Sequence, residues 1–499
     1  MKRSKFSLSH TKLASCDLGE LIPIGLLEVL PGDTIQQSTS ALVRCAAMLA
    51  PVMHPVSVTI HHWYCPLRLL WDNFQNFITG GPDGLNASVY PTITTPASTG
   101  FLEGSLADYL GVTPGVASRT VSALPFRAYA AVWNDWYRDQ DLQTPLVMSK
   151  ADGADTTTNT TLQNGCWEKD YFTSSRPWEQ KGVSVTLPLG TTAPITGLGV
   201  FGNAANAGAT IFGTTAAGDM VSTQPVLGQA AGQVLAKMPA VGAASGSNRP
   251  QIFADLANAS AVTVTALRQA LAIQRFEEAR ARYGSQYTDY LAYLGVTSSD
   301  ARLQRCEYLG GGRQVIQFSE VLQTAEGANP VGELRGHGIT GARSNRYRRF
   351  IEEHGYILSL MCVRPKTIYA DGLNRHWNRR VKEDFWQKEL EHIGQQKVLN
   401  KEVRFNHATP DGTFGFQDRY DEYRRQESSI AGEFRSTTLN FWHFARQFAT
   451  DPALNATFVS SVPTERPFAV PSKDVIYVQA KHSIQARRLV TKTGTSFIF

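Results

Sequence analysis

The sequence predicts a mainly β protein, a β-sandwich whose connecting loops are expanded and house helices. Three observations carry that reading. Short runs with strand character recur at wide intervals, at 56–64, 183–187, 313–318, 356–363 and 474–480. Amphipathic helical patterns lie inside the long stretches between them. Strands and helices also fail to alternate at the regular spacing that a βαβ array needs, which excludes a doubly wound parallel sheet.

Taken in order, residues 1–20 form a basic arm holding Lys2, Arg3, Lys5 and Lys12, with no acid before Asp17. The run 56–64 sets Val56, Val58 and Ile60 on one face and Ser57, Thr59 and His61 on the other, the period of a half-buried strand. Pro66 then stands where a helix can start. Leu67, Leu70, Trp71, Phe74, Phe77 and Ile78 follow at helical spacing, and Gly80 ends the run. Further helices are expected over 125–139, with Phe126, Tyr129, Trp133 and Trp136 on one face, over 265–283, and over 437–448, with Phe441, Phe444, Ala445 and Phe448. Aromatic stripes at this spacing are packing faces rather than cofactor boxes. Between 182 and 248 the only charges are Asp219 and Lys237. Small polar residues dominate there, interrupted by Ile195, Val200, Phe201, Ile211 and Phe212. Residues 183–250 are therefore expected to be an inserted surface protrusion that packs against its own copies, rather than a linker.

Hydrophobic residues make up 42% of the chain and charged residues only 18%, below the roughly 25% of ordinary soluble domains. With 9 Trp, 17 Tyr and 24 Phe, that balance suits a protein covering much of its surface with copies of itself. The net charge is +5, from 48 basic and 43 acidic residues. Single-stranded DNA carries one charge per nucleotide, so each chain can neutralise about five of them. A DNA-filled particle would need a basic partner or small cations for the rest. Cys16, Cys45, Cys65, Cys166, Cys306 and Cys362 are scattered without metal-ligand spacing, as expected of reduced thiols in a protein assembled in a cytoplasm. There is no secretory h-region and no apolar run of about 18 residues, so no membrane insertion is expected.

No constellation reads as catalytic. His61 and His62 point to opposite faces of a strand, and no Cys or carboxylate completes a zinc site with His54. Glu277–Glu278 and Glu352–Glu353 read as solvated ion-pair faces. Gly310-Gly311-Gly312 lacks the Gly-Lys-Ser/Thr ending of a phosphate loop. Basic clusters are more informative. Arg343, Arg346, Arg348 and Arg349 interleave with Tyr347 and Phe350; Arg375, Arg379 and Arg380 surround His376 and Trp377; Lys481, Arg487, Arg488 and Lys492 form a basic tail, 481–499. Cations among aromatic rings can track phosphates and stack unpaired bases, and arginines equally serve subunit contacts. Candidate DNA contacts are Lys2, Arg3, Lys5, Lys12, Arg346, Arg348, Arg349, Arg487, Arg488 and Lys492, while Arg375, Arg379 and Arg380 fit subunit contacts as well.

Several segments, in order, resemble the major capsid protein of gokushovirus-type Microviridae: PLRLLWDNFQNFITGG (66–81), FRAYAAVWNDWYRDQDLQTP (126–145), the run ending CEYLGGG (to 312), EEHGYILSLMCVRPKTIYADGLNRHWNRR (352–380) and GEFRS (432–436). The resemblance implies an eight-stranded antiparallel jelly roll with long helical insertions, forming one domain over 1–499 and assembling into a T=1 icosahedral shell. It further implies a circular single-stranded DNA genome as cargo, a small basic DNA-binding protein and a minor or pilot protein as partners, a host surface receptor, no cofactor and no catalysis. In similar proteins the long insertion builds outward protrusions, and capsid termini lie near the interior. The other function class open to these residues is a β-sandwich that binds or processes carbohydrate, which would need an aromatic platform and paired carboxylates in a cleft.

Overall fold

The computed structural model is mainly antiparallel β. It describes residues 3–183, 185, 264–284, 286–322, 324 and 332–492, together with the backbone of short strands between 195 and 254. The chain divides into two units, Met1–Glu179 with Arg280–Phe499, and Gln180–Ala279.

The larger unit is built on β1 (Ser4–Ser7), β2 (His10–Cys16), β3 (Leu21–Val29), β4 (Thr34–Cys45), β5 (Val56–Pro66), β6 (Glu307–Val315), β7 (Gln317–Leu322), β8 (Leu334–Arg343), β9 (Tyr347–Phe350), β10 (Gly355–Pro365) and β11 (Ile476–Arg488). In sheet one, β1 and β2 both pair with β11; β11 pairs with β4, β4 with β8 and β9, and β8 with β7. Sheet two runs β6–β5–β10–β3. The expected strand 56–64 is β5, and 356–363 is β10. The expected strand 474–480 is the first half of the longer β11. The run 313–318 is not one strand. It breaks at buried Ile316, where β6 of sheet two ends and β7 of sheet one begins. The apolar pattern reads through this corner because the interior lies on both sides of it. Gly312 stands where the sheets approach each other, and a side chain there would collide with the Arg343 carbonyl of β8.

Alternation along the strands sets three bands inside the sandwich. Val43 on β4, Ile60 on β5, Met361 on β10 and Ala480 on β11 lie in one apolar cluster. Ile35, Tyr64, Ile357 and Ile484, on the same four strands, lie in another. Between them the same faces present Gln37, Thr39, His62, Ser359 and His482, all buried. These polar groups bond one another and Ser344 across the two sheets. Thr39 Oγ1 is 2.8 Å from His482 Nδ1, while His62 reaches Ser359 Oγ at 2.8 Å and Ser344 Oγ at 3.0 Å. His482 Nε2 donates to the Ile24 carbonyl at 2.9 Å, and Tyr347 OH donates to Gln37 Oε1 at 2.7 Å. Burial lowers both histidines, His62 to about 3 and His482 to about 4, so each is a neutral, paired core group.

Helices cover the outer face of sheet two: α1 (Leu67–Leu70), α2 (Phe74–Thr79), α3 (Leu106–Leu110) and α4 (Leu124–Val132), the last running into a π-turn over Trp133–Tyr137. Trp71, Leu106, Phe126 and Tyr129 pack there against Trp63, Leu358 and Leu360. Arg127, fully buried in α4, donates from Nε to Asp155 Oδ2 at 2.9 Å and caps the Leu70 and Ala151 carbonyls. The aromatic stripe of 125–139 is a packing face, as its spacing predicts, whereas the expected helix of 66–81 breaks into α1 and α2 and leaves Phe77 and Ile78 exposed.

The expected helix at 265–283 is α5 (Val264–Tyr283), whereas 437–448 is not a helix. Only a short 3₁₀ turn, Asn440–Trp442, forms in that run. Its backbone groups are taken by tertiary partners. Arg466 donates to the Asn440, His443 and Ala445 carbonyls, Met53 N–H to the Trp442 carbonyl, and Arg446 N–H to the Ile368 carbonyl. Phe444 is drawn into the sandwich core and Phe448 into a separate cluster with Phe172 and Phe414.

In the smaller unit, Thr210–Thr214 pairs with Leu198–Phe201 and Met220–Gln224, and Ile195–Thr196 pairs with Phe253–Ala254. Ile195, Val200, Phe201, Ile211 and Phe212 are all strand positions, with Ile211 opposite Val200. The expected strand 183–187 falls mostly outside the described residues.

Candidate nucleic-acid interface

Three basic clusters far apart in sequence meet at one end of sheet one. Directly paired residues of antiparallel strands share a face. Lys5 is opposite Arg487, Arg487 opposite Thr34, and Thr34 opposite Phe350. One row along, Ser7 is opposite Gln485, Gln485 opposite Gln36, and Gln36 opposite Arg348. These residues are exposed or half-buried, on the side of the sheet away from the sandwich interior. Arg3 joins them, donating to the Gly32 carbonyl at 3.0 Å and Thr34 Oγ1 at 3.2 Å while its guanidinium lies 5.4 Å from the Phe350 ring centroid. Exposed Arg346 stands beside the Gln36 carboxamide.

Lys5, Arg346, Arg348 and Arg487 form no ion pair among the described residues, and the residues set between them are Ser, Thr and Gln. Strands lie about 4.8 Å apart. The face therefore offers closely spaced, unneutralised cations around Phe350, which is 49% exposed. That arrangement can hold successive phosphates of a flexible strand while an unpaired base stacks on the ring.

Other candidates have their charge committed internally. Lys12 Nζ donates to the Pro23 carbonyl at 2.9 Å and to that of Tyr109, and burial lowers it to about 8 against the raising effect of Asp108. Arg349 pairs with Glu307 at 2.6 Å, where burial raises the carboxyl. Arg488 pairs with buried Asp33 at 2.9 Å and donates to the Glu28 carbonyl. Lys492 is exposed, and Lys2 lies outside the described residues. The sequence separates the clusters by more than 130 residues at each step. The sequence sets Phe350 beside the arginines of 343–349, but only the pairing of β1, β9 and β11 around β4 brings the other two clusters to that ring.

The histidines of 54–62 are structural. His61 Nδ1 is 2.7 Å from Tyr137 OH on the outer face, His62 faces inward, and His54 Nε2 donates to the Lys366 carbonyl at 2.7 Å. Among the described residues, no group of three or more His, Cys, Asp or Glu is placed to hold a metal ion. The described helices include none long and apolar enough to cross a membrane. All six cysteines are free thiols. The carbohydrate alternative would need carboxylates free to exchange protons in a cleft. In a hollow of about 540 Å³, Glu402 and Glu422 do face one another across Arg375, which pairs with both, at 2.9 and 3.5 Å.

A two-sheet sandwich with long insertions, a one-sided cation face and abundant exposed aromatics defines a structural, shell-building protein. The profile of the capsid protein (F protein) family matches residues 1–498, and the chain belongs to that family. It is 37% identical to the capsid protein VP1 of Bdellovibrio phage phiMH2K over 487 residues, covering 95% of this chain and 90% of that protein. It is 32% identical to VP1 of Chlamydia phage 1, covering 95% and 92%. Against VP1 of Spiroplasma virus 4 it is 33% identical, covering 92% and 87%. A capsid protein is a component of the virion, and its copies assemble into a shell. The resemblance read from the sequence is confirmed, and the carbohydrate alternative is not supported.

Proposed function

We propose that this chain is the tile of a T=1 icosahedral shell enclosing circular single-stranded DNA, without catalysis, assembled in the cytoplasm of a bacterial host. Its sandwich is read as an eight-stranded jelly roll. Taken in chain order, β2, β3, β4, β5, β6, β8, β10 and β11 run first–eighth–third–sixth in sheet one and second–seventh–fourth–fifth in sheet two. That interleaving of two antiparallel sheets is jelly-roll wiring, and it makes a rigid wedge whose loops are free to carry contacts.

The observation that carries the DNA reading is the convergence of Arg3, Lys5, Arg346, Arg348 and Arg487 on one carboxylate-poor face. A net charge of +5 per chain leaves most of the genome to be neutralised by others. A small basic DNA-binding protein is accordingly assigned as a partner, and a minor or pilot protein and a host surface receptor complete the particle's contacts. Residues 183–250 are assigned to the outward protrusion, consistent with their separation as a compact unit.

Electron microscopy of the purified chain and nuclease protection of co-purified DNA test this directly. Closed particles that shield circular single-stranded DNA are expected. Small soluble oligomers with no protected nucleic acid would overturn it.

A further inference from the structure

The insertion between β10 and β11 carries a second surface whose role neither the fold nor the family membership assigns. Trp377 is 63% exposed, Val381 54%, Phe385 52%, Trp386 50% and Tyr423 50%. Phe385, Trp386 and Tyr423 gather around Arg379, and Trp377 and Val381 flank Arg379 and Arg380 in the sequence. The Arg379 guanidinium lies 4.5 Å from the Tyr423 ring centroid and 5.3 Å from that of Phe385. Trp386 N–H donates to Tyr423 OH at 3.3 Å, and Arg380 bonds back to the Trp377 carbonyl at 3.0 Å.

The exposed area marks this surface as incomplete in an isolated chain. Large aromatic side chains each carry about 150–250 Å², so this half-exposed set presents on the order of 450 Å². One side of a standard protein interface covers about 800 Å². More than half of such a footprint is thus already present, in Trp, Tyr, Phe and Arg, the residues that dominate interface energetics.

The electrostatics separate a protein partner from a nucleic acid. Arg375 pairs with Glu402 and Glu422, Arg379 lies 3.8 Å from Glu422, and Arg425 pairs with Asp421 at 2.8 Å. Arg375, Arg379 and Arg425 thus have carboxylate partners, unlike Lys5, Arg348 and Arg487 on sheet one, while among the described residues Arg380 and Arg419 donate to backbone carbonyls; attraction to phosphates supplies most of non-specific nucleic-acid affinity.

We propose that the face formed by Trp377, Val381, Phe385, Trp386 and Tyr423 around Arg379 is a contact between copies of this chain within the shell. The proposal rests on the shell reading and goes beyond it by naming the surface.

Hydroxyl-radical footprinting of the full chain, unassembled at low concentration and then as particles, tests it. Oxidation of Trp377 and Trp386 is expected to fall at least about fivefold on assembly, in empty and DNA-filled shells alike. The full-length Trp386→Ser chain should fold normally, since that side chain is half exposed, yet need about tenfold more protein or greater to assemble. Equal tryptophan reactivity in subunit and intact shell would overturn the proposal, as would normal assembly of the variant. Protection confined to DNA-filled shells would overturn it too, and would make the patch a nucleic-acid face. A chain that forms no particle would fell the shell reading and this proposal with it, a failure distinct from unprotected tryptophans in an intact shell.

Discussion

The cation face of sheet one and the insertion around Arg375 use the same residue types, arginine beside aromatic rings, and put them to opposite ends. On the sheet, Lys5, Arg348 and Arg487 project from strands into a field of Ser, Thr and Gln, with no carboxylate paired to them among the described residues. In the insertion, Arg375 is largely enclosed and holds Glu402, whose side chain is 1% exposed, and Glu422. Burial raises the Glu402 carboxyl, and Arg375 opposes that shift. Composition therefore does not separate an arginine that meets an outside anion from one that holds the fold together. The presence or absence of a buried carboxylate beside it does.

The largest expected effect falls in the insertion. Arg375→Met strands a buried carboxylate and should cost about 3–5 kcal/mol in denaturant unfolding. Lys5→Gln, Arg348→Gln and Arg487→Gln should each stay within about 0.5 kcal/mol. Comparable destabilisation at both places would erase the distinction.

Acid separates the regions a second way. His62 and His482 are lowered to about 3 and about 4, so the unfolded chain takes up protons below about 6.5 while the folded chain does not. Their contribution is complete above pH 6.5 and is lost as the pH falls toward 4, by an amount on the order of a few kcal/mol. Glu402 and Glu427 are raised by burial, so they act with the opposite sign: the folded chain holds their protons more tightly, and acid favours it there. Unfolding free energies measured at pH 7 and pH 5 should differ in the wild type and differ less in His482→Gln. A flat wild-type profile would remove the buried histidine layer from the account.

A smaller effect is expected on DNA. Changing Lys5, Arg348 and Arg487 together to Gln should lower the slope of log affinity against log salt by about 2, at about 0.7 per phosphate contact on a single strand. An unchanged slope would move the DNA contact elsewhere. Phe350→Leu, with every cation in place, should cost only about 1 kcal/mol of single-strand affinity and leave the slope intact.

Much of this fold is legible in the sequence where local pattern and final burial agree. Val56, Val58 and Ile60 alternate and do face the core, though Ser57 and Thr59 on the other face are buried as well, so the strand is not half-buried as its pattern predicts; Pro66 does end a strand at the start of α1. Pattern misleads where one apolar run serves two partners. Residues 313–318 carry the hydrophobicity of a single strand because Ile316 turns between two sheets that share an interior. Residues 437–448 carry helical spacing, yet Phe444 and Phe448 are claimed by different clusters and Arg466 takes the carbonyls a helix would use. The site was legible only in its parts. Basic residues near both termini and at 343–349 stand out in the sequence, but their union depends on strand register. The internal commitment of Lys12, Arg349 and Arg488 depends on acceptors that no spacing rule links to them.

Among the described residues β11 is the last strand in chain order, yet it sits in the middle of sheet one, between β4 and the β1–β2 edge. While a ribosome still holds residue 488, sheet one lacks the strand that joins its two halves, and the rows opposite Lys5 and Ser7 do not exist. Sheet one cannot close until residue 488 has emerged, so a copy presents its finished cation face to another only after nearly all of the described residues have been made.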